Sequence, residues 1–253
     1  MFMKDYPRIH RYYNKLDGLI ALSVYVASML MLYVTGLLVR YQGIRLFVPV
    51  SIVSLLTVLF VIRLRKQGLN TIGISARNIG KSALLGLVTG FAFFYYFRLI
   101  IGATLFERAY GGVDISRFSF DRFARHAGAP FWDWFPMALL FIIITVVHQE
   151  VLMRGYVQTR LHGLIGSEFA TTLVTGLLFV IFFMPLHTVL TGETLSWVFL
   201  SSVPLKMLWM FGLHCWLYLL YRTYNNLAAP VIFHVFFSFH SNDALSHFTF
   251  IGI

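Results

Sequence analysis

Long uncharged apolar runs, separated by short segments rich in Lys and Arg, constrain this chain more than any other feature. Hydrophobic residues make up 58% of its 253 residues and charged residues only 12%, with a mean hydropathy of +0.76. A soluble domain averages about 25% charged residues. Apolar runs of about 20 residues can cross a bilayer as helices, which satisfy every backbone polar group internally. The sequence therefore predicts an all-α fold, a polytopic integral membrane helical bundle.

The apolar runs also indicate how many helices to expect. The predicted spans are residues 18–39, 46–62, 82–105, 136–162, 169–185, 195–221 and 227–239. The 195–221 run contains Pro204 and Lys206, which fit either one kinked span or a half-span followed by a full one. We therefore expect about seven to eight transmembrane helices in a single transmembrane domain, residues 1–253.

Glycine and proline positions refine these helices. Gly86 and Gly90 form a small-xxx-small step, which predicts close packing of the third helix against a neighbour. Pro136 suits the first turn of the fourth helix. Pro185 is expected to break the fifth helix near its end.

The distribution of positive charge argues against a nucleic-acid partner and predicts an orientation. The formal net charge is +10, but the Lys and Arg residues cluster between apolar runs instead of forming one stripe among aromatic side chains. This pattern follows the positive-inside rule and adds an attraction to anionic membrane lipids. The N-terminal segment and residues 63–81 carry much of this charge, so we predict that both are cytoplasmic and that residues 106–130 lie outside.

A polar stretch interrupts the fourth apolar run. Gln149 and Glu150 follow this run, and Arg154 comes four residues after Glu150. Residues four apart share a helix face, so Glu150 and Arg154 can pair. Charged groups at this depth are costly in hydrocarbon and usually mark a site that faces protein or water. A buried structural ion pair that braces two helices is the other interpretation, and the stretch alone does not separate the two.

Two histidines are expected at a similar depth. With a rise of 1.5 Å per residue, the hairpin around residues 163–166 brings His187 towards the level of Glu150. His234 reaches the same layer if the last helix starts near Asn226. A single histidine inside a bundle is more often an ordinary satisfied polar residue, but a carboxylate and two histidines together in so uncharged a chain favour a shared site.

These residues resemble the CPBP or Abi family of intramembrane proteases. That family is marked by Glu-Glu-x-x-x-Arg-Gly, then Phe-x-x-x-His, then His-x-x-x-Asn. Here Glu150 with Arg154 and Gly155, Phe183 with His187, and the segment from Asn226 to His234 follow this order. The resemblance covers residues 137–242, which we interpret as a CPBP/Abi-like catalytic core. The family includes the CAAX prenyl endopeptidase and bacterial proteins linked to bacteriocin and signal-peptide processing or immunity.

The chain departs from the family pattern at two positions. The first glutamate of the family motif, thought to activate water, falls on Gln149, because Arg154 and Gly155 fix the alignment. The family asparagine falls on Ser238, and Asn242, one turn further on, is a candidate substitute. Phe183 and the two histidines match the motifs.

The resemblance implies a mechanism and a set of roles. Position 149 is the water-activating site, Glu150 and Arg154 form a supporting pair, and His187 and His234 hold the water and the oxyanion. The implied substrates are hydrophobic or lipid-anchored peptides, and the implied location is a bacterial cytoplasmic membrane. No cofactor is expected. Zinc bound by His187 and His234 is a weaker alternative because the chain lacks an HExxH pair.

Gln149 leaves the catalytic competence of the chain open. A glutamine keeps the shape of a glutamate and its hydrogen bonding, but it does not take a proton from water. The chain is then a weakened or inactive endopeptidase, or a pseudoprotease that binds a membrane partner, such as a bacteriocin or a regulatory protein, without cutting it. A third interpretation is that Gln149 was introduced in place of a native glutamate to silence an active enzyme. The lone Cys215 excludes an internal disulfide and a multi-cysteine metal site.

Overall fold

The computed structural model describes residues 14–42, 47–96, 131–191 and 197–240. Within these ranges, the side chains of residues 35–42, 47–48, 94–96, 131–138, 141–142, 183–191, 197–206 and 239–240 are not described. The predicted outer segment 106–130, the N-terminal basic segment and Asn242 therefore lie outside the described residues.

The described residues are helical, apart from short connections, and contain no strand. The helices are α1 Lys15–Gln42, α2 Phe47–Leu64, α3 Ile79–Tyr96, α4 Phe131–Glu150, α5 Thr159–Ile165, α6 Glu168–Thr191, α7 Trp197–Tyr224 and α8 Ala228–His240. A π-helix, Val151–Gln158, joins α4 to α5 without a break, and a 3₁₀ turn, Leu69–Ile72, lies between α2 and α3. The all-α expectation is confirmed for these residues, while the number of crossings of the whole chain stays a prediction.

The structure contradicts the expectations for Pro136 and Pro185, and it decides between the two alternatives for Pro204. Helix α4 begins at Phe131, so Pro136 lies beyond its first turn. Helix α6 continues through Pro185 to Thr191, and α7 runs through Pro204 as one helix. A proline removes one backbone donor but does not end a helix when the neighbouring turns stay paired, as happens often in membrane helices.

The helices expose apolar side chains and bury polar ones. Leu19 and Leu30 on α1 are 54% and 52% exposed, whereas Ser28 between them is buried. On α2, Phe60 is 62% exposed and Ser54 is fully buried. A surface helix of a soluble protein shows the opposite arrangement. Exposed apolar side chains, with polar ones turned towards an interior that also contains a hydrophobic core, are what a bundle surrounded by hydrocarbon requires.

Length and hydropathy single out one helical stretch of the described residues. Lys15–Val34 is both long and apolar enough to cross a membrane on those criteria alone. Shorter apolar stretches lie in other helices, namely Pro49–Leu64, Ile79–Phe93, Glu168–Phe182 and Ala228–Ser238.

Helix α3 packs closely against α8, as the glycine step predicted. A Cβ atom on Gly86 would lie 2.6 Å from the backbone oxygen of Ala229, and one on Gly90 would lie 2.6 Å from the ring of Phe236. Only glycine permits this approach, because the first of these contacts is with backbone that has no flexible end to move away. The close contact sets the position of α8, which carries His234.

The π-helix between α4 and α5 is held by the connection between α2 and α3 and by side chains at the start of α5. A Cβ atom on Gly155 would lie 2.6 Å from the carbonyl oxygen of Ile72, so the connection between α2 and α3 rests directly on the π-helix. The carbonyl oxygen of Gly155 accepts hydrogen bonds from Arg160 Nη1 (2.9 Å) and Thr159 Oγ1 (2.7 Å). π-helical turns are rare and often occur at functional sites. This one immediately follows Gln149 and Glu150.

Candidate active site

Glu150 joins the end of α4 to the π-helix and to α8. Its Oε1 atom accepts hydrogen bonds from Arg154 Nη1 at 2.9 Å and from His234 Nδ1 at 2.6 Å. Glu150 and Arg154 are fully buried, and the His234 side chain is 4% exposed. The structure therefore brings together two of the sequence motifs, 84 residues apart, through one carboxylate oxygen.

The burial of these groups makes their pairing energetically necessary. Removing one partner of a buried ion pair typically costs about 3–5 kcal/mol, because the remaining charge has no compensation. Arg154 is further enclosed by Phe179 of α6, whose ring centroid lies 4.1 Å from its guanidinium carbon. The cluster of Glu150, Arg154 and His234 thus ties together α4, the π-helix, α6 and α8.

Two groups of this cluster retain unused hydrogen-bonding capacity. Glu150 Oε2 and Arg154 Nε and Nη2 are buried and have no hydrogen-bond partner in the described structure. Buried polar atoms are usually satisfied, so unsatisfied ones call for an explanation such as a functional role.

Gln149 precedes Glu150 and is 4% exposed. A residue next along a helix points about 100° away, so its side chain leaves the helix in a different direction from that of Glu150. Among the described residues we find no hydrogen bond from its carboxamide. The structure therefore keeps Gln149 out of the Glu150 cluster while placing it beside that cluster.

The other predicted site residues have different outcomes. His187 and Phe183 lie on α6, but their side chains are outside the described set, so the expected convergence of His187 remains a prediction. Ser238 lies one turn after His234 on α8 and is half-buried. Across the described side chains, no group of three His, Cys, Asp or Glu residues has the arrangement of a metal site.

A second series of hydrogen-bonded polar side chains lies next to the site. The sequence analysis did not predict it. His148 Nε2 lies 2.9 Å from Ser54 Oγ, which in turn lies 2.6 Å from Ser28 Oγ. All of these side chains are buried. They link α4 to α2 and α1 just before Gln149, so they hold the start of the site against the first two helices.

His214 on α7 is a further buried polar residue that the sequence interpretation missed. Its Nε2 atom lies 3.1 Å from Thr175 Oγ1, and its ring lies 5.5 Å from that of Phe179. The hydroxyl of Thr175 also reaches the carbonyl oxygen of Thr171 at 2.8 Å. Because a hydroxyl has one proton, this geometry makes His214 Nε2 the donor to Thr175. The rule that an ionisable residue within an apolar span marks a special position would have found His214.

Asn226 positions α8 from outside the helix. Its side-chain amide donates to the carbonyl oxygen of Ser75 at 2.7 Å, and its Oδ1 accepts from the backbone N–H of Ala228 at 2.9 Å. Ser82 Oγ accepts from the backbone N–H of Ala229 at 3.0 Å. These bonds satisfy donors at the start of α8, as N-capping residues do. They fix the helix that carries His234 against the start of α3.

The comparison with known families agrees with this arrangement of motifs. Residues 131–240, from α4 to α8, match the model of a family described as type II CAAX prenyl endopeptidase Rce1-like. No curated protein and no solved structure matches the chain significantly. This match supports a CPBP-family domain at residues 131–240, and the Rce1-like family is membrane-embedded and has the general activity of a protease.

Proposed function

We propose that this protein is an intramembrane endopeptidase that cleaves hydrophobic or lipid-anchored peptides slowly, because Gln149 occupies the water-activating position. The observation that carries the proposal is the 2.6 Å contact between Glu150 and His234. It joins residues from two family motifs in one buried, charged cluster. Charged groups are costly inside an apolar bundle, and those found there usually mark a functional site.

The substitution Gln149→Glu tests this proposal. We expect it to raise peptide hydrolysis at least about tenfold, because general-base catalysis contributes roughly 10²–10⁴ in rate. Adding His187→Ala to this variant should abolish the gain, since His187 is proposed to hold the water or the oxyanion. Turnover of hydrophobic or prenylated peptides in liposomes measures both effects.

Two controls make the result specific. The variant Glu150→Gln separates the two neighbouring positions, and EDTA tests the zinc alternative. Cleavage by the unmodified chain as fast as by the Gln149→Glu variant would contradict the role of position 149. Loss of activity with EDTA and its recovery with zinc would favour the metal mechanism.

A non-catalytic protein that binds a membrane partner is the second candidate, and Gln149 is the observation that favours it. In that case the protein holds a peptide or protein segment without cutting it. If neither the unmodified chain nor the Gln149→Glu variant cleaves any peptide while the chain still retains a partner in the membrane, the binding function replaces the proteolytic one.

We further propose that the protein lies in a bacterial cytoplasmic membrane with its N-terminus in the cytosol, because the basic segments favour this orientation. An impermeant thiol reagent applied to whole cells should label a Ser119→Cys variant and leave a Ser75→Cys variant unlabelled, both in a Cys215→Ser background. Labelling of the Ser75→Cys variant alone would show the inverted topology.

A further inference from the structure

We propose that His234, oriented by Glu150, acts as the general base of this chain through its Nε2 atom. The inference rests on the proposed endopeptidase function and goes beyond it. It assigns the remaining slow hydrolysis to a Glu150–His234 dyad instead of to the residue at position 149. The chain then keeps a route to water activation although Gln149 has no proton-accepting carboxylate.

The Glu150–His234 dyad has a fixed geometry. Nδ1 of His234 lies 2.6 Å from Glu150 Oε1, and the same oxygen is held by Arg154 Nη1 at 2.9 Å. The carboxylate is therefore fixed from two sides, and it fixes the imidazole ring in turn. With Nδ1 facing Glu150, Nε2 lies on the opposite edge of the ring, and within the described structure we find no hydrogen bond at that atom.

The charge balance of the cluster decides which nitrogen carries the proton. Glu150 and Arg154 already compensate each other in a fully buried pair. A protonated His234 would add an uncompensated positive charge, which is costly in a low-dielectric interior. A neutral His234 has one N–H, and the 2.6 Å contact with a carboxylate oxygen places it on Nδ1. Nε2 then carries a lone pair and is the acceptor.

The oxygen of Glu150 that faces His234 is already occupied as an acceptor, whereas His234 Nε2 is not. The negative charge of Glu150 is stabilised by Arg154, and its Oε1 atom already accepts two hydrogen bonds. A carboxylate that orients an imidazole and stabilises the imidazolium formed during reaction is the arrangement that serine hydrolases also use. Here the imidazole would activate water directly.

In the proposed step, His234 first accepts a proton from water and later returns it to the leaving group. Nε2 takes a proton from water while the water oxygen forms a bond to the peptide carbonyl carbon, which gives a tetrahedral oxyanion. The imidazolium, whose charge is balanced by the oxyanion and whose Nδ1–H stays bonded to Glu150, then donates the Nε2 proton to the departing peptide nitrogen as the C–N bond breaks. The products are a carboxyl terminus and an amine, and His234 is neutral again.

A double-mutant cycle tests this role. It compares cleavage by the unmodified protein, by the single variants His234→Asn and Gln149→Glu, and by the double variant. Asparagine places an amide nitrogen near the position of Nδ1, so it can still donate to Glu150, but it has nothing equivalent to Nε2. We expect His234→Asn to lower cleavage by the unmodified chain at least about 10²-fold, the low side of general-base effects. In the Gln149→Glu background the loss should be at least about tenfold smaller, because the new carboxylate supplies a base.

The outcomes separate this inference from the proposed function. An equal loss in both backgrounds would assign His234 to the oxyanion and overturn the dyad. Undetectable cleavage by the unmodified chain, with clear cleavage by Gln149→Glu, would overturn the dyad and leave the endopeptidase function standing. The absence of cleavage by all four chains would overturn both. Thermal denaturation in detergent shows whether His234→Asn is folded. If it is not, His234→Gln replaces it, because its longer amide also lacks a basic nitrogen.

Discussion

Replacing Arg154 with methionine should lower the free energy of unfolding by about 3–5 kcal/mol, the usual cost of breaking a buried ion pair from one side. Methionine fills a similar volume over Phe179 but leaves the Glu150 carboxylate buried with only His234 as a partner. The expected result is a large drop in the denaturation midpoint, measured by SDS titration of the protein in detergent micelles. Activity of the Gln149→Glu variant should fall with it, because Glu150 loses one of the two contacts that hold it.

The protein provides a matched control for this substitution. Arg222 pairs with Glu168 at 3.0 Å, but both side chains are about one-third exposed. Exposed ion pairs contribute about 0–1 kcal/mol, so Arg222→Met should shift the midpoint little. Equal effects of the two substitutions would mean that burial does not determine the energy of the Glu150–Arg154 pair. A second check is Glu150→Gln combined with Arg154→Met, which should cost less than the sum of the single changes.

Replacing Arg160 with leucine should destabilise the protein by about 3 kcal/mol, because hydrogen bonds made by a charged group contribute about 1.5–3 kcal/mol each. Arg160 is fully buried. It donates to Gln67 Oε1 at 2.7 Å, to Thr71 Oγ1 at 2.9 Å and to the carbonyl oxygen of Gly155 at 2.9 Å. Leucine removes all of these donors at once. The same SDS titration measures the loss.

The control for Arg160→Leu is Arg63→Leu at the exposed end of α2. Exposed substitutions away from special features usually change stability by less than about 0.5 kcal/mol. We also expect Arg160→Leu to disturb the π-helix, because Arg160 ties Gly155 to the connection between α2 and α3. Unchanged stability of Arg160→Leu would show that water or lipid headgroups reach these acceptors and that the connection is not held by this side chain.

The two arginines explain why the polar stretch has both structural and functional interpretations. Arg154 holds the carboxylate that contacts His234, and Arg160 holds the π-helix that carries Arg154. The pair that braces the helices is thus also the pair that orients the candidate site. The sequence left open whether these residues form a structural ion pair or a functional site. Both interpretations apply to the same residues.

Much of the architecture follows from the sequence alone. The apolar runs predicted each described helix to within a few residues at most ends, because a backbone in hydrocarbon has no partner but itself. The glycine step of Gly86 and Gly90 predicted close packing, because a missing Cβ atom is a local property. The spacing of Glu150 and Arg154 predicted their pairing for the same reason.

What the sequence did not determine depends on contacts between distant segments. No local pattern distinguishes a proline that ends a helix from one that a helix tolerates, so Pro185 was misjudged. The π-helix at Val151–Gln158 packs on Ile72, and Arg160 links it to Thr71, and both contacts exist only in the folded bundle. The contact of His234 Nδ1 with Glu150 likewise depends on where Asn226 and Gly86 place α8. The sequence determined which polar and charged residues are too costly to expose to lipid. The tertiary structure decided which hydrogen-bond partners each of them has, because hydrogen bonds between helices depend on relative positions that no single helix encodes.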